Sequence, residues 1–372
     1  MNPKQTLHTL LSYAGLTING PHPYDPQIHN EQLYQRILTG GSLALGESYM
    51  DGWWDCEALD EMVCRLIRAR VNEKVGMSFE TLFYILKSKI LNLQSKRGAR
   101  KVIDEHYDLG NDLYMSFLDP YNQYTCGYFA QTKDDLNKAQ EDKLDLICRK
   151  LQLKKEDHLL DIGCGWGGLA KFAAEKYGCT VTGVSISDEQ IAYAQSYTKG
   201  LPVEILKCDY RDLTGSYDKV VSVGMIEHVG YKNHRTMMKT VRNILKDDGL
   251  FLLHHIGSNK TTTLADPWFH KYIFPNGLLP SIKQIAEAIE GIFVMEDWHN
   301  FGPYYDPTLM AWMKNFDAAW PQLKEKYNER FYRMWRYYLL SMAGAFRSRQ
   351  NNQLWQIVLS KNGVLGGYTS VR

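Results

Sequence analysis

The stretch Leu159-Leu160-Asp161-Ile162-Gly163-Cys164-Gly165-Trp166-Gly167-Gly168 limits what this chain can fold into more than any other. It reads as a buried strand, a glycine turn and a helix opening at Leu169-Ala170-Lys171-Phe172. Gly163 and Gly165 carry no Cβ, so the backbone there can take positive φ and let a ligand lie directly on it. The helix start just beyond offers unpaired N–H groups. Alternation then continues through strand 158–162, helix 168–177, strand 179–184, helix 188–198, strands 203–207 and 217–223, helix 233–245 and strand 249–256. It breaks after Gly257 into a long loop with helical pieces over 258–285, a strand at Phe293–Trp298, mostly helix over 308–349 and a last strand at Leu354–Ser360. The expected fold is therefore α/β, with a seven-stranded, largely parallel sheet carrying helices on both faces. Open sheets of this kind hold nucleotides at the carboxyl ends of their strands.

Which nucleotide is the next question. Gly163-x-Gly165-x-x-Gly168 satisfies the dinucleotide pattern, but that pattern alone discriminates poorly. Asp161 stands two residues before the first glycine, where it would repel a pyrophosphate and welcome an amine or cation. No acid closes the next strand, Thr180-Val181-Thr182-Gly183-Val184-Ser185, where NAD sites usually hold the ribose, and no Gly-Lys-Ser/Thr phosphate loop is present. An acid followed by Gly-x-Gly resembles the S-adenosylmethionine loop of class I methyltransferases, a Rossmann-like fold whose ligand carries an α-amino group and a sulfonium. A methyl donor ranks ahead of NAD, and a tight strand-to-helix turn without a ligand ranks third.

Composition narrows the class. A formal net charge of +1 over 372 residues gives no basic stripe for nucleic acid, so no nucleic-acid partner is expected. Seven cysteines (56, 64, 126, 148, 164, 179, 208) form an odd set without a C-x-x-C pair and read as reduced thiols of a cytoplasmic protein. No apolar run approaches membrane-spanning length.

Residues 1–90 lack the alternation and read as a smaller, mainly helical N-terminal domain, with short helices at Leu7-Leu11 and Leu33-Leu38 and an apolar-periodic one over Leu59–Arg70. Trp53-Trp54 suits either packing in that domain or contact with lipid. Residues 91–105 read as a basic linker, within a segment in which Lys87, Lys89, Lys96, Arg97, Arg100 and Lys101 are interleaved with apolar residues and no acid. A solvated connecting helix and a surface for anionic lipid headgroups are both consistent with it. Residues 106–372 form the catalytic domain, entered through a lid-like preamble and a helix from about Asp134 to Leu151.

The candidate donor-binding residues share one rim of the sheet: Tyr124, Thr125, Asp161, Gly163, Cys164, Gly165, Trp166, Gly167, Ser185, Gln190, Asp209 and Tyr210. Asp209 is placed to accept from an adenine amino group, although a turn cap is the commoner role for such a residue, and Gln190 to hold ribose hydroxyls. Glu227 and His228 follow the fourth strand, and His254 and His255 close the fifth. Adjacent strand residues point to opposite faces, so at most one of the two histidines serves the site. No third or fourth ligand supports a metal at Glu227-His228, and no metal is expected. A Glu and a His beside a methyl donor suit proton handling or the holding of a small polar ion.

Longer motifs extend this. Gly46-Glu47-Ser48-Tyr49-Met50-Asp51-Gly52, His106-Tyr107-Asp108-Leu109-Gly110-Asn111, Tyr124-Thr125-Cys126, Leu160–Gly168, Gly224-Met225-Ile226-Glu227-His228-Val229-Gly230, Lys271–Gly277, Glu296–Gly302 and Leu309-Met310-Ala311-Trp312 together resemble the cyclopropane-fatty-acyl-phospholipid synthase family in its two-domain bacterial form. The resemblance spans essentially the whole chain. It implies transfer of a methylene from S-adenosylmethionine to a cis double bond in the acyl chain of a membrane phospholipid, through a carbocation that loses a proton to bound bicarbonate. It further implies that Cys126, Glu227, His254 and Tyr305, with the backbone of Ile256, hold that bicarbonate. Taken one by one, these residues also suit a small buried thiol, a cap, a core histidine and a packing aromatic. Glu227 beside an anion requires a shared proton on one of them, or a cationic His254. The family also implies a homodimer at the inner face of the cell membrane, in contact with the bilayer surface. Some members carry a cysteine just before Ala343-Gly344-Ala345-Phe346; here that position is Met342, so no cysteine nucleophile stands there. Tyr272, Phe274, Trp312, Phe316, Tyr337 and Tyr338 suit either an acyl tunnel or ordinary helix packing.

Overall fold

The computed structural model of the protein describes residues 2–74 and 110–372. The basic segment with Lys87, Lys89, Lys96, Arg97, Arg100 and Lys101, the 91–105 linker, the boundary at 90 and His106-Tyr107-Asp108-Leu109 lie outside the described residues. The chain forms two compact units.

The first unit combines the N-terminal residues with 263–276 and 305–352, segments that the sequence division assigns to the catalytic part. Helix Pro3–Ser12 starts on Asn2, whose side chain accepts from the Lys4 N–H. Strands β1 (Gln27–Ile28) and β2 (Trp54–Asp55) pair antiparallel. Helix Leu33–Met50 runs well past the expected Leu38, with a break at Gly41, where φ is 57°. Helix Leu59–Arg68 packs on helix Glu329–Ser348 so closely that a Cβ on Gly344 would meet the Asp60 carbonyl oxygen at 2.1 Å. Arg347 joins the two helices to a third, Tyr305–Leu323, through Asp60 (2.6 Å) and Asp306 (2.8 Å). Such long-range packing, invisible to local periodicity, explains why residues 305–352 group with the N-terminal helices. Trp54 is buried with Nε1 donating to Ser48 Oγ at 3.1 Å, and the Arg36 guanidinium lies 4.5 Å over the Trp53 ring. Trp312 and Phe316 are fully buried, and Tyr337 and Tyr338 pack on Trp268 and Trp335.

The second unit is the α/β part. Its seven strands are β3 (His158–Ile162), β4 (Thr180–Ser185), β5 (Val203–Lys207), β6 (Tyr217–Val223), β7 (Leu245–Ser258), β8 (Val294–Asn300) and β9 (Asn352–Ser360). They lie in the order β5-β4-β3-β6-β7-β9-β8. The first five pair in parallel, and β8 pairs antiparallel to β9. The chain enters at β3, steps outward to β5 and returns to β6, so strand order reverses beside β3, where such sheets form a crevice.

Strand alternation distributes the side chains to two cores. Leu159, Val181, Val221 and Leu252 face helices Leu136–Lys150 and Gly168–Tyr177. Leu160, Val220, Phe251 and Leu253 face helices His234–Ile244 and Ile282–Ile289. Strand β7 begins earlier than expected, at Leu245, because Leu245 pairs with Tyr217 across a register shift that the Asp247-Asp248-Gly249 sequence disguises as a turn.

Candidate active site

The glycine turn is built as the residue pattern requires. The N–H groups of Gly163 and Cys164 both donate to the Val184 carbonyl, at 2.9 and 3.1 Å, and draw the turn toward β4. Gly163, Gly165 and Gly167 take φ of 83°, 54° and 82°, a region open to glycine at little cost. The helix Gly168–Tyr177 starts with no side chain capping its first N–H groups, which leaves them for a ligand. Gly168 has a different reason: a Cβ there would stand 1.8 Å from the Tyr121 carbonyl oxygen and 2.5 Å from Gln123 Nε2. Gly168→Ala is therefore expected to cost about 1–3 kcal/mol or more, read as a lowered midpoint in urea unfolding, because backbone must move.

Asp161 closes β3 facing the side of the sheet that carries helix Leu136–Lys150. It is 2% exposed, and its Oδ2 has no hydrogen-bond partner among the described residues. Burial pushes its carboxyl up to about 7, and the Lys143 ammonium opposes that shift. Trp166 Nε1 donates to Asn111 Oδ1 at 2.8 Å, and its ring lies against Tyr114, which also meets Tyr124 edge-on. The Cys164 side chain packs with Ile191, Ala194 and Ile205 between sheet and helix, so only its backbone serves the turn.

Along the rim, Ser185 Oγ donates to Gln190 Oε1 at 3.3 Å, and Ser187 caps the helix Asp188–Tyr197 through the Gln190 N–H. Asp209 differs from the expectation of a carboxylate waiting for an adenine. Its oxygens are engaged by Arg211 Nε (2.7 Å), Nη2 (2.6 Å) and backbone N–H (3.0 Å), and it caps the short turn Tyr210–Asp212. The Tyr210 hydroxyl is buried without a partner among the described residues.

The residue that sequence reasoning missed is Lys143. It is fully buried, and its Nζ donates to Gln123 Oε1 at 2.6 Å and to Thr125 Oγ1 at 2.8 Å. Gln140, one turn earlier, donates to the Thr125 carbonyl at 2.8 Å. Gln140, Lys143, Leu144 and Ile147 share the buried face of helix Leu136–Lys150, and a lysine on that apolar stripe was the available signal. Asp119 accepts from the Tyr121 and Gln123 N–H groups, so the whole 119–125 segment is fixed. Thr125 comes close to Gly224, where a Cβ would meet its Cγ2 at 3.0 Å, and this brings Cys126 to the end of β6.

At that end stands the short helix Ile226–Val229 with Glu227. Glu227 Oε1 accepts from the Ile256 N–H at 2.8 Å, while the buried Oε2 has no partner among the described residues. The Ile256 N–H is thus committed to Glu227, and its carbonyl faces His255 Nδ1 at 2.8 Å. Burial pushes the Glu227 carboxyl up to about 7 against the Ile256 N–H, which favours the charged form. His254 is 1% exposed, with Gln356 Nε2 on its Nδ1 at 3.2 Å. The other ring nitrogen, Nε2, is buried with no partner among the described residues, and it carries the proton when Gln356 donates to Nδ1. Burial, with Lys143, His255 and Lys150 adding to it, holds the imidazole neutral. Burial thus disfavours a cationic His254, while a proton on Glu227 is favoured by the same burial.

His254 and His255 point to opposite faces, as alternation requires. His254 lies on the face of Leu250 and Leu252, whereas His255 lies edge-on to Trp355 with Phe251 and Leu253. Cys126 is fully buried, its Sγ 3.3 Å from the Gly127 carbonyl. Tyr305 belongs to the first unit, where it opens helix Tyr305–Leu323 and stacks on Phe346 at 4.4 Å. Among the described residues no three His, Cys, Asp or Glu side chains converge as a metal site.

A family model described as mycolic acid cyclopropane synthetase matches residues 94–357. A relative named cyclopropane-fatty-acyl-phospholipid synthase, from Escherichia coli, is 53% identical over 363 residues, covering 98% of this chain and 94% of its own length. Among solved structures, the cyclopropane synthase MmaA2 from Mycobacterium tuberculosis aligns with a TM-score of 0.66 at 28% identity, over 73% of this chain and 100% of that one. The mycolic acid cyclopropane synthase CmaA1 complexed with SAH and CTAB aligns with a TM-score of 0.65 at 29% identity, over 70% of this chain and 98% of that one.

Proposed function

The chain belongs to the mycolic acid cyclopropane synthetase family of S-adenosylmethionine-dependent methyltransferases, and from that premise we propose that it transfers a methylene to the cis double bond of unsaturated acyl chains in membrane phospholipids. S-adenosylmethionine, when bound, supplies an electrophilic methyl carbon on a sulfonium. The residues present fit it: the unpartnered Asp161 Oδ2 would hold the α-ammonium, the open backbone of Gly163 and Gly165 would carry the amino-acid portion, and Gln190 would hold ribose hydroxyls. Asp209 would reach an adenine amino group only if Arg211 yields one oxygen.

The observation that carries the proposal is a pair of buried hydrogen-bonding atoms without partners among the described residues, Glu227 Oε2 in the short helix after β6 and His254 Nε2 on β7, where His254 pairs with the last residue of β6. Unpaired buried polar groups are costly, so such a pair implies a ligand. Well below the Glu227 pKa of about 7 both side chains are neutral, and a protonated carboxyl and, with the ring proton on Nε2, an imidazole N–H can each donate to one small oxyanion. Bicarbonate fits that donor set, with Cys126 beside it. An alkene is a poor nucleophile, so the pocket must align it and exclude water. Methylation leaves a carbocation on the acyl chain, and the ring closes when the added methyl gives up a proton toward the anion held by Glu227 and His254.

No helix among the described residues is long and apolar enough to cross a membrane, which suits a protein that works on a bilayer from its surface. We propose further that it works as a homodimer at the cytoplasmic face of the cell membrane, as the family resemblance implies. Incubation of the purified protein with vesicles of unsaturated phospholipid and S-adenosylmethionine, followed by lipid mass analysis, tests the function. A product one methylene heavier with the double bond gone is expected. A methyl-branched olefin would instead indicate methylation without ring closure, and unchanged lipid a protein without this activity.

A further inference from the structure

Lys143 is a buried cation whose charge acts on Asp161 and His254, and nothing in the reaction as described uses it. Its ammonium joins two parts of the molecule that are far apart in sequence. On one side it is clamped by Gln123 Oε1 at 2.6 Å and Thr125 Oγ1 at 2.8 Å. Gln123 in turn donates to the Tyr121 carbonyl at 3.0 Å, and both sit where a Cβ on Gly168 would strike them, at the very start of the donor-loop helix. Thr125 borders Gly224 at the end of β6, three residues before Glu227. On the other side, Lys143 lies under the same sheet face as Asp161 and His254. A lysine without contact to water is retained only where charges or dipoles repay its desolvation.

We propose that Lys143 is a positioning residue of the methyl-donor site, which locks the 121–126 segment onto the donor-loop helix and supplies the buried positive charge that keeps Asp161 ionised. The inference rests on the reading of Asp161 as the partner of the donor's α-ammonium. Asp161 must be a carboxylate to hold that group, yet burial drives it toward neutrality, and an opposite charge within reach works against that drive. The ionisable groups around Lys143 are Asp119, Cys126 and Asp161, with His254 beyond; Cys148 and Cys164 also face Asp161. Burial lowers the Lys143 ammonium to about 8; Asp119 is its foremost counter-charge and Asp161 the other carboxylate its charge acts on, while burial holds the Cys148 and Cys164 thiols protonated.

The test is binding of S-adenosylhomocysteine, which cannot react, measured by calorimetry from acidic to alkaline pH on the full chain. Loss of the cation raises the Asp161 pKa, so binding disappears at a higher pH as the solution is acidified. Lys143→Met is expected to move that acidic edge up by about one pH unit or more. It is also expected to weaken binding about fivefold at neutral pH. Lys143→Arg keeps the charge and is expected to keep the edge while lowering kcat through the disturbed 121–126 segment. A purely structural lysine would lower the melting temperature of Lys143→Met and leave the edge where it was; a folded Lys143→Met with an unmoved edge overturns the proposal. If that variant does not fold, the unaltered protein decides by its proton balance at pH 7.5. An ionised Asp161 gives release of less than about half a proton on binding, whereas more than that means Asp161 is neutral despite Lys143, and the proposal falls. Either failure leaves the lipid assay untouched, so it is separable from failure of the proposed function.

Discussion

Glu227→Gln is expected to lower kcat by about 10²-fold or more, in the range lost with a general acid–base group, while affinity for S-adenosylhomocysteine stays near its original value. The glutamine preserves size and can still accept from the Ile256 N–H, the 2.8 Å contact that orients the side chain. What it loses is the transferable proton that burial keeps on Glu227 up to about pH 7, which the carboxyl can exchange with the held anion; the amide N–H donates but does not transfer. In the unaltered protein an ionised Glu227 would repel the anion, so activity should decline as pH rises through a value somewhat above 7, because a bound anion raises the carboxyl further. In the variant no group titrates at that position and the alkaline decline should flatten. Steady-state rates over pH, with donor affinity measured in parallel, check both parts. Full activity in Glu227→Gln would remove Glu227 from the proton path.

Asp161→Asn should produce the opposite division, with donor affinity reduced by roughly 10²-fold and the rate at saturating donor changed much less. Hydrogen bonds to charged groups contribute about 1.5–3 kcal/mol, and on the proposed reading the partner would be the donor's α-ammonium at a buried site. The unpartnered Oδ2 is the atom at issue, since Asn puts either a neutral oxygen or an amide donor there. Calorimetric titration with S-adenosylhomocysteine measures the loss directly. Equal affinity in the two proteins would mean that the α-ammonium is held elsewhere, and the glycine turn alone would then have to account for donor binding.

The α/β part of the fold was legible because each strand and helix advertises itself locally. Buried runs such as Leu159–Ile162 and Val181–Val184, separated by amphipathic helices, leave little choice of topology. Asp161, the glycines and Glu227 were legible for a related reason: they sit at strand ends, where the pattern changes period. Lys143 was not, since a single lysine inside a helix reads as a surface residue until its neighbours Gln140, Leu144 and Ile147 are known to be buried together. The engagement of Asp209 by Arg211 was also missed, because two residues that both suit a rim can satisfy each other instead of a ligand. The grouping of 305–352 with the N-terminal helices escaped local reading altogether. It depends on Gly344 against Asp60 and on Arg347 reaching Asp60 and Asp306, contacts between residues hundreds of positions apart or brought together by helix packing. Tyr305 falls in that unit for the same reason.

In the proposed reaction the proton that leaves comes from the transferred methyl, and a trideuterated methyl donor makes that visible. With unsaturated phospholipid vesicles and S-adenosylmethionine labelled on the methyl group, the account predicts a cyclopropane that keeps two deuterium atoms, with the third lost to the Glu227–His254 site. A lipid product that keeps all three, having given up a hydrogen from the acyl chain instead, would contradict it.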